Sequence, residues 1–186
     1  MEFVVDIDRD AGMTFVEARA ELYDAYPHVC RVNLGHVPQA LDPDLEALLC
    51  ALLFHDFIGD DVRFSRPCSP LAEHALSQLM CRRIRVADVD PEPRVTRAGN
   101  RCAILDDGSL AARVLWGLRP PDAIRVRALT DNQSGDQAGS HEISVITSLG
   151  LLGLTDEITR HRWTIALAAL IASDYGIRIL CLPSTF

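Results

Sequence analysis

The chain has 186 residues with 26 acidic and 18 basic side chains, a formal net charge of -8, and every basic residue is an arginine. The absence of lysine excludes a Schiff-base lysine, a P-loop lysine on a triphosphate and any lysine general base. The negative balance argues against a nucleic-acid partner, because phosphate backbones are held by clustered cationic side chains.

With 48% hydrophobic and 24% charged residues the composition is that of a soluble globular protein, and the length suits one domain over residues 1–186. Residues 1–93 carry 17 acids against 8 arginines, whereas residues 94–186 carry 9 against 10. The expected organisation is an acidic N-terminal extension (1–93) packed on a near-neutral core (94–186). The six cysteines form no C-x-x-C pair and most lie in apolar runs, as Cys50 and Cys181 do. They read as small hydrophobes in a reducing cytoplasm, with no zinc ribbon and no catalytic thiol. Met1 to Asp6 has no basic leader, and no apolar run approaches the roughly 18 residues of a membrane span, so neither export nor a membrane partner is expected.

In chain order, Phe3 to Ile7 reads as a strand, Phe15 to Leu22 as a weak helix and His28 to Asn33 as a short strand. Asp42-Pro43-Asp44 supplies an N-cap and a first-turn proline for a helix over Leu45 to Ile58. Val62 to Ser65 reads as a strand, Ser69-Pro70-Leu71 opens a helix to about Cys81, and Arg83 to Val89 alternates as a strand. Next come a strand at Arg101 to Leu105, a helix at Ser109 to Leu118 and a strand at Ala123 to Leu129. A helix at Glu142 to Leu149, a strand at Asp156 to His161, a helix at Trp163 to Tyr175 and a strand at Ile177 to Leu182 complete the series. Strands alternating with helices predict an α/β fold, a doubly wound, mainly parallel sheet carrying an N-terminal strand-helix extension. Ligands of such sheets bind beyond the carboxyl ends of the strands. That singles out Asp106-Asp107-Gly108-Ser109 and the polar loop containing Asp131 and Gln133.

Over residues 100 to 182, the turn ending in Ser109, the helix Leu110-Ala111-Ala112, the Asp131–Gln133 loop, His141-Glu142 and Arg162 in an Ala-rich helix resemble the PP-loop ATP pyrophosphatase superfamily. Within it, the chain is most similar to the 7-cyano-7-deazaguanine synthase-like branch. The resemblance implies an adenine nucleotide hydrolase-like fold. It also implies a Ser-Gly-Gly-x-Asp-Ser loop whose backbone N–H groups grip the pyrophosphate of ATP. Here Ile104, Leu105, Asp106, Asp107 and Gly108 occupy the first five places and only Ser109 matches. Like charges a few ångströms apart cost on the order of 1 to 4 kcal/mol at intermediate dielectric, so this loop repels pyrophosphate unless a divalent cation bridges it. Arg160-His161-Arg162-Trp163 keeps only the arginine of the branch's Pro-x-Arg-Asn motif, and its four-cysteine zinc site is missing.

The expectation is a degenerate relative that does not turn over ATP, acting as a non-catalytic subunit beside a homologous catalytic chain or as a repurposed biosynthetic protein with a small-molecule ligand. The alternatives are an active amide-forming or thiolating enzyme that holds ATP through Mg²⁺ on Asp106 and Asp107, and a regulatory module. Candidate binding residues are Asp106, Asp107, Gly108, Ser109, Asp131, Gln133, His161 and Arg162; no catalytic residue and no resident metal site is assigned. Each has a plain structural reading beside it: a capped Asp-Asp-Gly turn, or arginines covering a sheet end. His141-Glu142 reads as the first turn of a helix capped by Ser140. His55-Asp56 suggests an oriented base, but neighbours in a helix point about 100° apart. The open strand edge near Leu182 predicts a homodimer or another partner there.

Overall fold

The computed structural model describes residues 1–21, 24–92, 99–106, 109–130, 141–148 and 157–183. Three strands come first: β1 (Glu2–Asp8), β2 (Met13–Arg19) and β3 (Arg31–Leu34). β1 and β2 pair antiparallel, as do β2 and β3. The segment expected as a weak helix from Phe15 is therefore mostly β2. Thr14, Val16 and Ala18 are buried and alternate with more exposed neighbours, a period of two that outweighs the helical spacing of the same apolar residues.

Helix α1 (Pro43–Leu53) begins as its sequence predicts, with the Asp42 side chain accepting from the Asp44 N–H and Pro43 in the first turn. It ends earlier than expected, at Leu53, with Phe54 as its C-cap and a 3₁₀ turn over His55–Phe57 following. Two short strands, β4 (Asp61–Val62) and β5 (Arg85–Val86), pair in parallel around α2 (Pro70–Leu79), which Ser69 caps.

The second half comprises β6 (Arg101–Asp106), α3 (Leu110–Gly117), β7 (Ile124–Thr130), β8 (Glu142–Thr147), α4 (Glu157–Tyr175) and β9 (Ile177–Cys181). Two expectations fail here. Glu142 onward is a strand, because Ile143 and Val145 are buried on one face while Glu142 and Ser144 face the other, and β-branched residues dominate. The residues from Glu157 to His161 are the opening of α4 and not a strand; Asp156 and Leu149 lie outside the described residues.

All but β4 and β5 join one sheet in the order β1-β2-β3-β8-β7-β6-β9. The sheet is mixed, an α/β arrangement in which four strands, β8, β7, β6 and β9, are mutually parallel. β3 meets β8 antiparallel, so the N-terminal segment opens with a three-stranded meander that continues the sheet, and its helices α1 and α2 follow.

Alternation along the parallel strands sends side chains to two faces. Ala103, Leu105, Ile124, Val126, Ile143 and Val145 pack in the core with α1 and with Trp163, Leu167, Leu170 and Ile171 of α4. Cys102, Ile104 and Ala123 lie on the other face against Leu115 and Trp116 of α3. α1 and α4 run antiparallel: near the end of α4 the Asp174 carboxylate accepts from the Gln39 N–H at 3.0 Å and meets His36 Nε2 at 3.0 Å, just before α1 starts. Among the described residues no helix is long and apolar enough to cross a membrane.

Candidate functional site

Numbered from β6, the parallel strands stand third, second, first, fourth, with the order reversing between β6 and β9. Open parallel sheets place ligands at the carboxyl ends of strands where the order reverses. Asp106, the last residue of β6, occupies that position, and its side chain is 1% exposed.

A buried carboxylate requires a partner, and β7 provides two. Arg127 is the register partner of Asp106 across the parallel pairing, and Arg125 is the partner of Ile104. Two residues apart on one strand, both arginines project to the α3 face. Arg127 donates to Asp106 Oδ2 from Nε at 2.8 Å and from Nη2 at 2.5 Å, and Arg125 Nη2 approaches the same oxygen at 2.8 Å. Glu142, opposite Arg125 on β8, lies 3.8 Å from both guanidinium groups. The Trp116 ring of α3 borders the group, with the Arg125 guanidinium 5.7 Å and that of Arg119 4.0 Å from its centroid. Glu142 is thus a strand residue in a charge cluster and not the first turn of a helix.

The cluster changes what Asp106 can do. It is neither an open carboxylate facing phosphate oxygens nor a ligand waiting for a cation, because its charge is taken up within the sheet. Ser109 caps α3, its Oγ accepting from the Ala112 N–H at 3.1 Å. Asp107, Gly108, Asp131 and Gln133 lie outside the described residues.

His161 and Arg162 are not gathered at this site. Both belong to α4, which covers the opposite face of the sheet. Arg162 Nη1 contacts Asp56 Oδ1 at 2.9 Å, and His55 Nδ1 contacts the same oxygen at 3.0 Å. The expectation that His55 and Asp56 do not meet fails because they lie in the 3₁₀ turn beyond α1. The His55 hydrogen bond, helped by Arg162 and opposed by partial burial, lowers the Asp56 carboxyl below its ordinary value. This trio fastens the end of α1 to the start of α4.

A separate cavity of about 740 Å³, lined by Glu21, Asp24, Asp60, Asp61 and Arg82, lies at the β1 end of the sheet, away from β9. Among the described residues no three or more His, Cys, Asp or Glu side chains are grouped to hold a metal ion. Sequence reasoning missed Arg125 and Arg127 and placed Glu142 in a helix, although the Arg125-Val126-Arg127 alternation on a strand following Asp106 is the signal that two cations share one face. Comparison with known proteins gives no match: no family model fits the chain, and no curated protein or solved structure is significantly similar to it.

Proposed function

We propose that this chain is a non-catalytic, PP-loop-like α/β protein in which an internal ion cluster occupies the place where its resemblance family grips pyrophosphate, and that it works as a partner subunit without turning over ATP. The observation that carries the reading is the Asp106 carboxylate held by Arg125 and Arg127 at the end of β6. A triphosphate site needs cationic groups and N–H donors in excess of the local acids. Among the described residues at the end of β6, Arg125 and Arg127 are paired with Asp106 and Glu142, so their charges are taken up within the cluster. The third-second-first-fourth strand order, with α3 and α4 on opposite faces, supports the doubly wound reading.

The partner half of the reading is supported by β9, an edge strand on which Ile179 and Leu180 are exposed, with Leu182 exposed just beyond it. Natural edge strands are usually paired or covered. Calorimetric titration with ATP and Mg²⁺, together with an assay for released pyrophosphate, tests the proposal. Neither saturable binding up to millimolar nucleotide nor pyrophosphate release is the expected result. Saturable binding accompanied by release overturns it in favour of an adenylating enzyme.

A further inference from the structure

We propose that Cys102 and Cys181 form a reversible intramolecular disulfide when the protein meets a hydroperoxide, fastening the edge strand β9 to β6. The two Sγ atoms stand 3.4 Å apart on adjacent strands of the sheet's α3 face. Both are free thiols, Cys102 buried and Cys181 half-buried. The proposal is independent of whether nucleotide binds.

Strand register explains why the bond is reversible. In the β6–β9 pairing Cys102 stands opposite Ile179 and Cys181 opposite Ile104, so the cysteines are diagonal neighbours. Diagonal Cα atoms on neighbouring parallel strands, one spacing of about 4.8 Å across and two residues of about 3.3 Å along, are roughly 8 Å apart, beyond the roughly 7 Å that a disulfide spans without backbone movement. The sulfurs must close by roughly 1.4 Å from their 3.4 Å separation. β9 is the strand that can yield. It lies at the sheet edge, and the pairing skips from Ile177 to Ile179 as β6 passes from Arg101 to Cys102, leaving Arg178 as an extra residue. A bond closed by such a shift is strained, and strained disulfides are the labile, regulatory kind.

Cys181 is the more accessible sulfur and reacts first. Burial, ahead of the contact with Cys181, pushes the Cys102 thiol up to about 11, so Cys102 is not the sulfur that meets the peroxide first. The Cys181 thiolate attacks the peroxide, the O–O bond breaks, and Cys181 sulfenic acid forms while the departing oxygen takes a proton to leave as alcohol or water. The Cys102 sulfur then attacks the Cys181 sulfur, an S–S bond replaces the S–O bond, and the hydroxyl leaves as water with the Cys102 proton. Two thiols are oxidised and one peroxide is reduced.

The test exposes the full chain to graded hydrogen peroxide, blocks remaining thiols by alkylation, and maps tryptic peptides without reduction. The expected first product is a crosslink between the peptide beginning at Cys102 and the peptide beginning at Ile179. It should be found in the monomer band, account for more than half of the protein before other cysteines change, and disappear with dithiothreitol. Cys181→Ser abolishes it. Advance of Cys181 to sulfinic acid without a crosslink, earlier bonding among other cysteines, or a crosslink confined to a covalent dimer overturns the proposal. The wild-type measurement decides even if the variant fails to fold.

Discussion

Asp106 and Arg127 are register partners on neighbouring parallel strands, and the carboxylate of one receives two donors from the guanidinium of the other while being almost wholly withdrawn from water. Their pairing gives a stability prediction with an asymmetry. Replacing both Arg125 and Arg127 with Ala leaves a buried, uncompensated carboxylate and is expected to cost about 3–5 kcal/mol. Asp106→Asn costs less, because it removes the buried charge while Arg127, 38% exposed, still reaches solvent. Urea denaturation at neutral pH checks the order; equal losses would show that burial of Asp106 is not what makes the cluster matter.

Asp56 supplies a pH dependence. Its folded carboxyl titrates below the ordinary value, so its contribution to stability is fully present above the unfolded carboxylate range and is lost as pH falls through the depressed folded value. The side chain is 60% exposed, which limits the contribution to about 0.2–1 kcal/mol after solvent screening. Asp56→Asn should therefore be less stable than wild type at pH 6 and indistinguishable from it near the foot of the acid transition. A series of thermal melts between these limits measures the convergence.

Two glycines should respond oppositely to alanine. A Cβ added at Gly99 falls 1.9 Å from the Gly176 carbonyl oxygen, a backbone atom that cannot rotate aside, whereas one added at Gly117 meets nothing within 4 Å. Gly176 itself has φ of 63°, the left-handed turn that lets α4 stop and β9 begin at once. Gly99→Ala is expected to lose roughly 1–3 kcal/mol through overpacking. Gly117→Ala, at the end of α3, should gain roughly 0.4–1 kcal/mol. Parallel thermal melts of the two variants separate these outcomes.

The apolar edge at β9 predicts association. Light scattering behind size exclusion should give twice the chain mass at micromolar concentration, and Leu180→Lys should return it to the monomer with little change in unfolding midpoint. A wild-type monomer at that concentration removes the prediction.

The helices that announced themselves did so through their first residues. Asp42-Pro43, Ser69-Pro70 and Ser109 each place a capping oxygen before a run of apolar spacing, and α1, α2 and α3 begin where those signals stand. β8 breaks the strand-helix alternation that predicts a helix over Glu142 to Leu149, and Ile143, Val145 and Thr147 carry the period of a strand. The start of α4 misled for a related reason: Ile158 and Thr159 favour strands locally, and only the long apolar stretch after Trp163 fixes them as helix. At the site, Asp106 and Ser109 were visible as strand-end residues, while Arg125 and Arg127 acquire meaning only through the β6–β7 register. His55 and Asp56 were kept apart by assuming a helix that in fact ends at Leu53.

The single described register pair joining β3 to β8, Leu34 with Thr147, is supported by the Asn33 N–H donating to Ser148 Oγ at 2.9 Å. It separates two regions whose contacts differ in range. Register pairs within the β1–β2–β3 meander lie at most 20 residues apart in the chain (Thr14 with Leu34), whereas those joining β6 to β9 lie 76 or more apart (Arg101 with Ile177). Short closures form early and long ones late, since loop entropy must be met before distant pairings reward it. The seam therefore marks a boundary in folding time as well as in topology. In amide exchange the two sides should open as separate units, coupled chiefly by α1 lying along α4.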